Sequence, residues 1–139
     1  MLGEHARKLY IQSDLNCAEA VMRSADEVYK YQFPDECYHM IGAFGGGCSV
    51  GDLCGAVAGS VAVLGNEFIA ESAHSTPLLS DRIRAFMNEF GKEFSSFSCR
   101  DIKPVCISRD EDRCALAVQK AAECLELILD RYCDQALKG

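Results

Sequence analysis

The chain has 139 residues, which fits one folded domain, and 49% of them are hydrophobic, enough to form a core without a disulfide scaffold. Its formal net charge of −7 combines 21 acidic with 14 basic residues. Phosphate contacts need clustered Lys and Arg, and the basic residues here are dispersed, so the composition argues against a nucleic-acid partner. A small molecule or a protein is the expected partner.

The nine cysteines are an odd number, so at least one sulfur is unpaired. Their density is below that of disulfide-stapled small proteins, which favours thiols in a reducing compartment. The first ten residues lack the apolar run of a signal peptide. The apolar stretch at residues 53–65 has no charge but is too short to cross a bilayer, which takes about 20 apolar residues. We therefore expect a cytoplasmic protein without a membrane span.

Apolar residues recur at intervals of three and four along most of the chain, the periodicity of amphipathic helices. In chain order, the predicted helices cover approximately residues 6–11, 16–31, 36–41, 53–65, 77–94 and 112–132. The alternating pattern of strands is nearly absent. The sequence predicts an all-α bundle of five or six helices, in a single cysteine-rich domain that spans residues 1–139.

A glycine-rich segment precedes the predicted central helix. Four glycines fall between residues 42 and 47, and Gly51 follows them, so residues 42–52 are predicted to form a loop. In the helix after the loop, Gly55 and Gly59 lie four residues apart, where another backbone can approach closely. That close approach would occur either inside the bundle or across a homodimer.

Three cysteines fall at predicted helix starts: Cys17, Cys54 and Cys114. A helix N-terminus has free N–H groups and the positive end of the helix dipole, and both favour thiolate, the form that attacks disulfides and binds metals. Cys54 also follows the glycine-rich loop, where bare backbone could approach a cofactor or a second sulfur. The glycines predicted to contact a cofactor are Gly47, Gly51, Gly55 and Gly59.

The remaining cysteines give weaker signals. Cys124 has apolar helix neighbours and is interpreted as a core residue, since free cysteine often behaves as a small hydrophobe. Cys37 and Cys133 are interpreted in the same way. Cys48 and Cys106 lie in predicted loops beside stronger candidates and could be auxiliary or resolving thiols. No Cys-x-x-Cys, ferredoxin-type run or zinc-finger pairing is present, so the spacing alone specifies no metal.

Three parts of the chain together resemble a known family. They are Asn16-Cys17-Ala18-Glu19-Ala20-Val21, then Cys54-Gly55-Ala56-Val57-Ala58-Gly59, then the pair Cys99 and Cys114. This pattern is similar to the redox-active proteins named for a C…CGAxxG…C…C arrangement, the C_GCAxxG_C_C family. The resemblance covers nearly the whole chain and implies a redox-active domain with four characteristic cysteines. The five further cysteines depart from the family pattern.

Four sulfurs from four segments of a bundle suit two redox chemistries. In the first, Cys17, Cys54, Cys99 and Cys114 are metal ligands that hold an iron–sulfur cluster for electron transfer. In the second, a thiol–disulfide oxidoreductase or redox sensor, Cys54 attacks as a thiolate and Cys17 or Cys48 resolves the mixed disulfide. Two alternatives without redox chemistry are a zinc-stabilised module and an inert partner-binding module with no cofactor.

The cluster is the favoured hypothesis because zinc sites usually pair their ligands at short spacing. In the redox hypotheses the partner is a redox protein or a small molecule. We predict that Cys17, Cys54, Cys99 and Cys114 converge on one site, although a dithiol mechanism requires only two of them.

Overall fold

The chain folds into seven helices over residues 1–109 and 112–133, the part that this computed structural model describes. The helices are α1 (Leu2–Gln12), α2 (Cys17–Tyr29), α3 (Asp35–Gly42), α4 (Gly55–Phe68), α5 (Leu79–Phe94), α6 (Cys99–Arg109) and α7 (Ala115–Arg131). The predicted all-α class is confirmed, whereas the predicted count of five or six helices was too low. In the described residues, no helix is long and apolar enough to cross a membrane.

The helix missing from the prediction is α6. Its sequence is weakly amphipathic and has Pro104 at the sixth position, where proline removes a backbone hydrogen bond and disfavours helix. The helix forms nevertheless, because Ile102 and Cys106, one turn apart, are almost completely buried on its inner side. Tertiary burial therefore outweighs the local cost of the proline.

The centre of the bundle is α4, which packs against α2, α3, α5 and α7. Nine of its residues are buried, Val57, Val63, Leu64 and Phe68 among them. A Cβ atom added to Gly59 would lie 2.6 Å from the carbonyl oxygen of Ala18 in α2. The small-residue face is therefore used inside the chain, where it lets two helix backbones approach closely.

Two glycines of α4 provide a matched test of this packing. Gly59→Ala should lower the free energy of unfolding by about 1–3 kcal/mol, because the new methyl group must push α2 away. Gly65→Ala should raise it by about 0.5–1 kcal/mol, because that methyl group meets only Ile69 Cδ1, at 3.7 Å, and alanine favours helix. Urea denaturation followed by circular dichroism measures both values. Equal effects in the two variants would contradict the close approach at Gly59.

Candidate functional site

Two short segments that lie side by side organise the site. The N–H of Cys54 donates to the carbonyl of Phe97 at 2.7 Å, and the N–H of Cys99 donates to the carbonyl of Asp52 at 2.6 Å. Between them, Leu53 and Ser98 form an isolated antiparallel bridge. Because Cys54 caps α4 and Cys99 begins α6, this pairing holds the N-termini of the two helices together.

A tight turn formed by residues 46–51 closes over the paired segments. Four consecutive residues from Gly46 to Ser49 have positive φ angles, so this part of the turn is left-handed. The N–H of Asp52 donates to the carbonyl of Gly47 at 2.8 Å and closes the turn. A Cβ on Gly47 would lie 2.7 Å from Cβ of Cys99 and 2.5 Å from the Asp52 nitrogen. Only a residue without a side chain fits there.

Asn16 holds the start of α2 against the end of α3. Its side chain accepts from the N–H of Glu19, the Glu19 carboxylate accepts from the N–H of Asn16, and Asn16 Nδ2 donates to the carbonyl of Gly42 at 2.8 Å. This capping box places Cys17 at the first position of α2. The Cys17 sulfur lies 2.5 Å from where a Gly55 Cβ would be, so the sulfur occupies the space left by that glycine.

The four cysteines of the family pattern therefore lie in one region of the bundle. Cys17, Cys99 and Cys114 line one cavity of about 370 Å³. Cys54 is only 5% exposed and interacts electrostatically with Cys17 and Cys114. Cys114 caps α7, so each of the four lies at a helix N-terminus, as expected for Cys17, Cys54 and Cys114. Among the described His, Cys, Asp and Glu side chains, no three are grouped closely enough to hold a metal ion as they stand.

The other five cysteines occupy different environments, and all nine thiols are free. Cys106 is fully buried on α6 and interacts electrostatically with Cys114, so it adjoins the four-cysteine centre. Cys48 is exposed on the left-handed turn. Cys124 is buried in the core, as predicted. Cys37 is half-buried, and Cys133 is exposed.

The four glycines predicted to bind a cofactor have different neighbours in the structure. Gly47 and Gly55 contact the cysteines of the centre directly, as described above. Gly51 faces Arg100, whose Cβ would lie 3.3 Å from an added methyl group. Gly59 contacts the backbone of Ala18, so its role is in helix packing.

Three thiols of the centre, those of Cys17, Cys54 and Cys114, are harder to ionise than free cysteine. Burial raises the pKa of Cys54 to about 12 and that of Cys114 to about 11, and it also raises the pKa of Cys17. Neighbouring thiols add to the effect, because a thiolate at one cysteine repels a thiolate at the next. Hydrogen bonds from the backbone N–H groups of Val57 and Ala56 act to lower the pKa of Cys54, but the effect of burial is larger. The prediction that Cys54 is a thiolate because it lies at a helix start is therefore wrong, since burial keeps the thiol protonated.

Residues that were not identified as site residues from the sequence also line the cavity, among them Tyr10, Lys103 and Arg113 and the acidic Asp14 and Glu19. Burial and the nearby Cys114 raise the pKa of Tyr10, and the Arg113 guanidinium lies 4.8 Å from the centre of its ring. Lys103 lowers the pKa of Cys114. Tyr10 follows the apolar periodicity of α1, and the two cations stand in segments without a motif, so no sequence signal indicated them.

A comparison with protein-family models agrees with this geometry. The family described as "Putative redox-active protein (C_GCAxxG_C_C)" matches residues 15–128, well over half of the chain. The chain belongs to this family. The match contains all four cysteines of the centre, and the central motif of this member reads Cys-Gly-Ala-Val-Ala-Gly over residues 54–59. A search of curated proteins found no match, and neither did a search of solved structures.

The raised thiol pKa values predict an alkaline loss of stability in the reduced, metal-free protein. In the unfolded chain a thiol ionises near pH 8.5, whereas Cys54 in the folded chain keeps its proton to about pH 12. The stabilising contribution is therefore complete below pH 8.5 and is lost as the pH rises towards 12, at up to about 1.4 kcal/mol per pH unit for each proton. Urea denaturation at pH 7, 8, 9 and 10 measures the free energy of unfolding and therefore this loss.

Cys54→Ala is the control for this pH dependence. Its free energy of unfolding should fall less steeply between pH 8.5 and 10 than that of the parent protein. This window lies below about pH 10, where tyrosines of the unfolded chain begin to ionise, so the raised pKa of Tyr29 contributes little to it. Parallel curves for the two proteins would show that the Cys54 thiol is not protected from ionisation.

The left-handed turn provides a second matched pair. Gly46 and Gly47 have nearly the same φ, 64° and 62°, so alanine at either position costs about 1–2 kcal/mol in backbone strain. At Gly46 nothing lies within 4 Å of an added methyl group, whereas at Gly47 it would collide with Asp52 and Cys99. Gly47→Ala should therefore destabilise by about 1–3 kcal/mol more than Gly46→Ala in urea denaturation. Equal losses would mean that the turn does not press on Cys99.

Proposed function

We propose that this redox-active protein transfers electrons through an iron–sulfur cluster held by Cys17, Cys54, Cys99 and Cys114. The observation that carries the proposal is the convergence of four cysteines from four different helix N-termini. Apolar packing alone gives no reason for this arrangement, and a dithiol mechanism requires only two of the four. Four thiolates are the usual ligand set of such clusters.

The electrostatics of the centre favour a cationic ligand over free thiolates. Buried thiols with raised pKa values remain protonated at neutral pH, and several thiolates together repel one another. Iron ions that displace these protons would remove the repulsion and form bonds to the sulfurs. The bound group would supply reversible one-electron chemistry. Metal binding should accordingly release protons and strengthen as the pH rises.

The surrounding residues are suited to stabilise a negatively charged sulfur set. The backbone N–H groups of Ala18 and Gly46 act to lower the pKa of Cys17, which shows that they favour charge on its sulfur. Lys103 and Arg113 line the same cavity, as do the acidic Asp14 and Glu19, and Lys103 acts to lower the pKa of Cys114. Such hydrogen-bond donors and cations around sulfur ligands raise a reduction potential.

A thiol–disulfide function is the second candidate, and the free state of the thiols supports it. Cys17 and Cys99 line one open cavity and interact with each other. Cys99 would attack one sulfur of an organic disulfide and release one thiol. Cys17 would then displace the second thiol and form a Cys17–Cys99 disulfide, with two electrons passed to the organic disulfide. In this mechanism Cys54 is too buried to attack.

Zinc could occupy the same four-cysteine set without changing the ligands. Zinc has no redox chemistry, so it would make the centre a structural element. An inert module without a cofactor leaves the convergence of the four cysteines without a function. Neither alternative accounts for the redox activity named in the family description.

The four-cysteine centre is tested by single substitutions in protein purified without oxygen. Cys17→Ala, Cys54→Ala, Cys99→Ala and Cys114→Ala should each lose most of the iron and acid-labile sulfide, because a cluster needs all four ligands. The visible absorption of the cluster should decrease in parallel. Cys124→Ala and Cys37→Ala are the controls, since Cys124 lies in the core and Cys37 lines a cavity elsewhere, beside Met40.

The outcomes separate the candidate functions. Protein free of iron in which only Cys17→Ala and Cys99→Ala abolish reduction of an organic disulfide would replace the cluster with dithiol chemistry. Stoichiometric zinc without iron would make the site structural. Iron that persists in all four variants would refute the assigned ligand set.

A further inference from the structure

A second cavity adjoins the cysteine centre on its solvent side. Its volume is about 620 Å³, and it lies between the left-handed turn and the exposed side of α6. It shares Gly46, Cys99 and Lys103 with the cysteine cavity, so the two spaces are neighbours. We call it the α6 groove, and its lining residues are Gly46, Gly51, Cys99, Arg100, Lys103, Pro104, Ile107 and Ser108.

The charge of the α6 groove is opposite to that of the whole chain. The protein carries a net charge of −7, yet the described residues that line the groove include two cations and no Asp or Glu. Arg100 is held in place because its Nε donates to the carbonyl of Gly51 and its Nη2 to that of Val50, both at 3.2 Å. In the described part of the chain, no carboxylate forms an ion pair with Lys103. The groove therefore presents positive charge to a ligand.

The same groove also has an apolar wall. Pro104 and Ile107 line it, and Ile107 is 56% exposed. Val50, whose carbonyl accepts the hydrogen bond from Arg100, is 70% exposed. Exposed apolar side chains beside unpaired positive charge match a ligand that has both an apolar part and an anionic group.

We propose that the α6 groove binds a small organic anion with an apolar body. Its volume is within the range of about 300–1,000 Å³ that is usual for small-molecule sites. The anionic group would bind at Lys103 and Arg100, and the apolar body would cover Pro104 and Ile107. The ligand would then lie against Cys99, between solvent and the cysteine centre. The proposal concerns binding alone and does not depend on a cluster.

Two fluorescent dyes with nearly the same body test the proposal. 8-Anilinonaphthalene-1-sulfonate carries a sulfonate, and N-phenyl-1-naphthylamine lacks it. The anionic dye should bind saturably, and Lys103→Gln should weaken its binding about tenfold, the loss expected for one charge-assisted contact. Lys103→Arg should retain most of the affinity. The affinity for the neutral dye should not change in Lys103→Gln, because no charge is involved.

Two control variants assign the binding to the groove. Lys92→Gln removes an exposed lysine of α5, which pairs with Glu89, and should leave both dyes unaffected. Ile107→Asp should abolish binding of the anionic dye, whereas Ile11→Asp, at a residue 43% exposed on α1, should not. Anionic-dye affinity that is unchanged in both Lys103→Gln and Ile107→Asp would overturn the proposal, as would an equal loss in Lys92→Gln.

The iron content of Ile107→Asp keeps this proposal separate from the proposed function. Ile107 does not line the cysteine cavity, so its substitution should leave iron content at the parent level while dye binding is lost. A protein that binds the dye at Lys103 but never contains iron would support the groove and refute the cluster. A protein that contains iron but does not bind the dye in the groove would support the cluster and refute the groove.

Discussion

The pairing of residues 52–54 with residues 97–99 is the constraint on which the site depends. Helix N-termini leave backbone N–H groups without partners inside the helix, and here the first N–H of two different helix starts is used to join them. The N–H of Cys54 and the N–H of Cys99 both donate hydrogen bonds across this pairing. The two helix starts are thereby held together, and Gly47 lies against Cys99 and Asp52, where a larger residue would not fit. The left-handed turn, the cavity and the groove all follow from this arrangement.

Convergence of the cysteines has an electrostatic consequence that opposes the effect of the helix dipoles. Four helix N-termini would favour four thiolates if each cysteine were exposed. Packing them together removes water and brings like charges close, and both effects favour the neutral thiol. At Cys54 burial prevails, so its pKa is raised to about 12. A protonated thiol is a poor nucleophile, so burial makes Cys54 a poor attacking group.

In the two proposals, the neighbouring cavities have different roles. The inner one is lined by three of the four cysteines and by Tyr10, and it is the place where the chemistry would occur. The outer one has cations and apolar side chains, which would bind the proposed ligand without reacting with it. Cys99 and Lys103 belong to both, so a molecule bound outside would be in direct contact with the centre. α6, the helix that the periodicity did not predict, forms the wall between them.

Periodicity and composition were sufficient to predict the all-helical class, the central position of the 53–65 helix and the placement of cysteines at helix starts, because these are local properties of the chain. α6 could not be predicted, since its helix depends on burial of Ile102 and Cys106 by the rest of the bundle. The family pattern indicated which four cysteines matter. Their meeting point, the protonation of Cys54 and the cations beside them depend on contacts between residues far apart in the chain. Only the tertiary structure decides such contacts, because desolvation and charge interaction depend on distance in space rather than on position in the sequence.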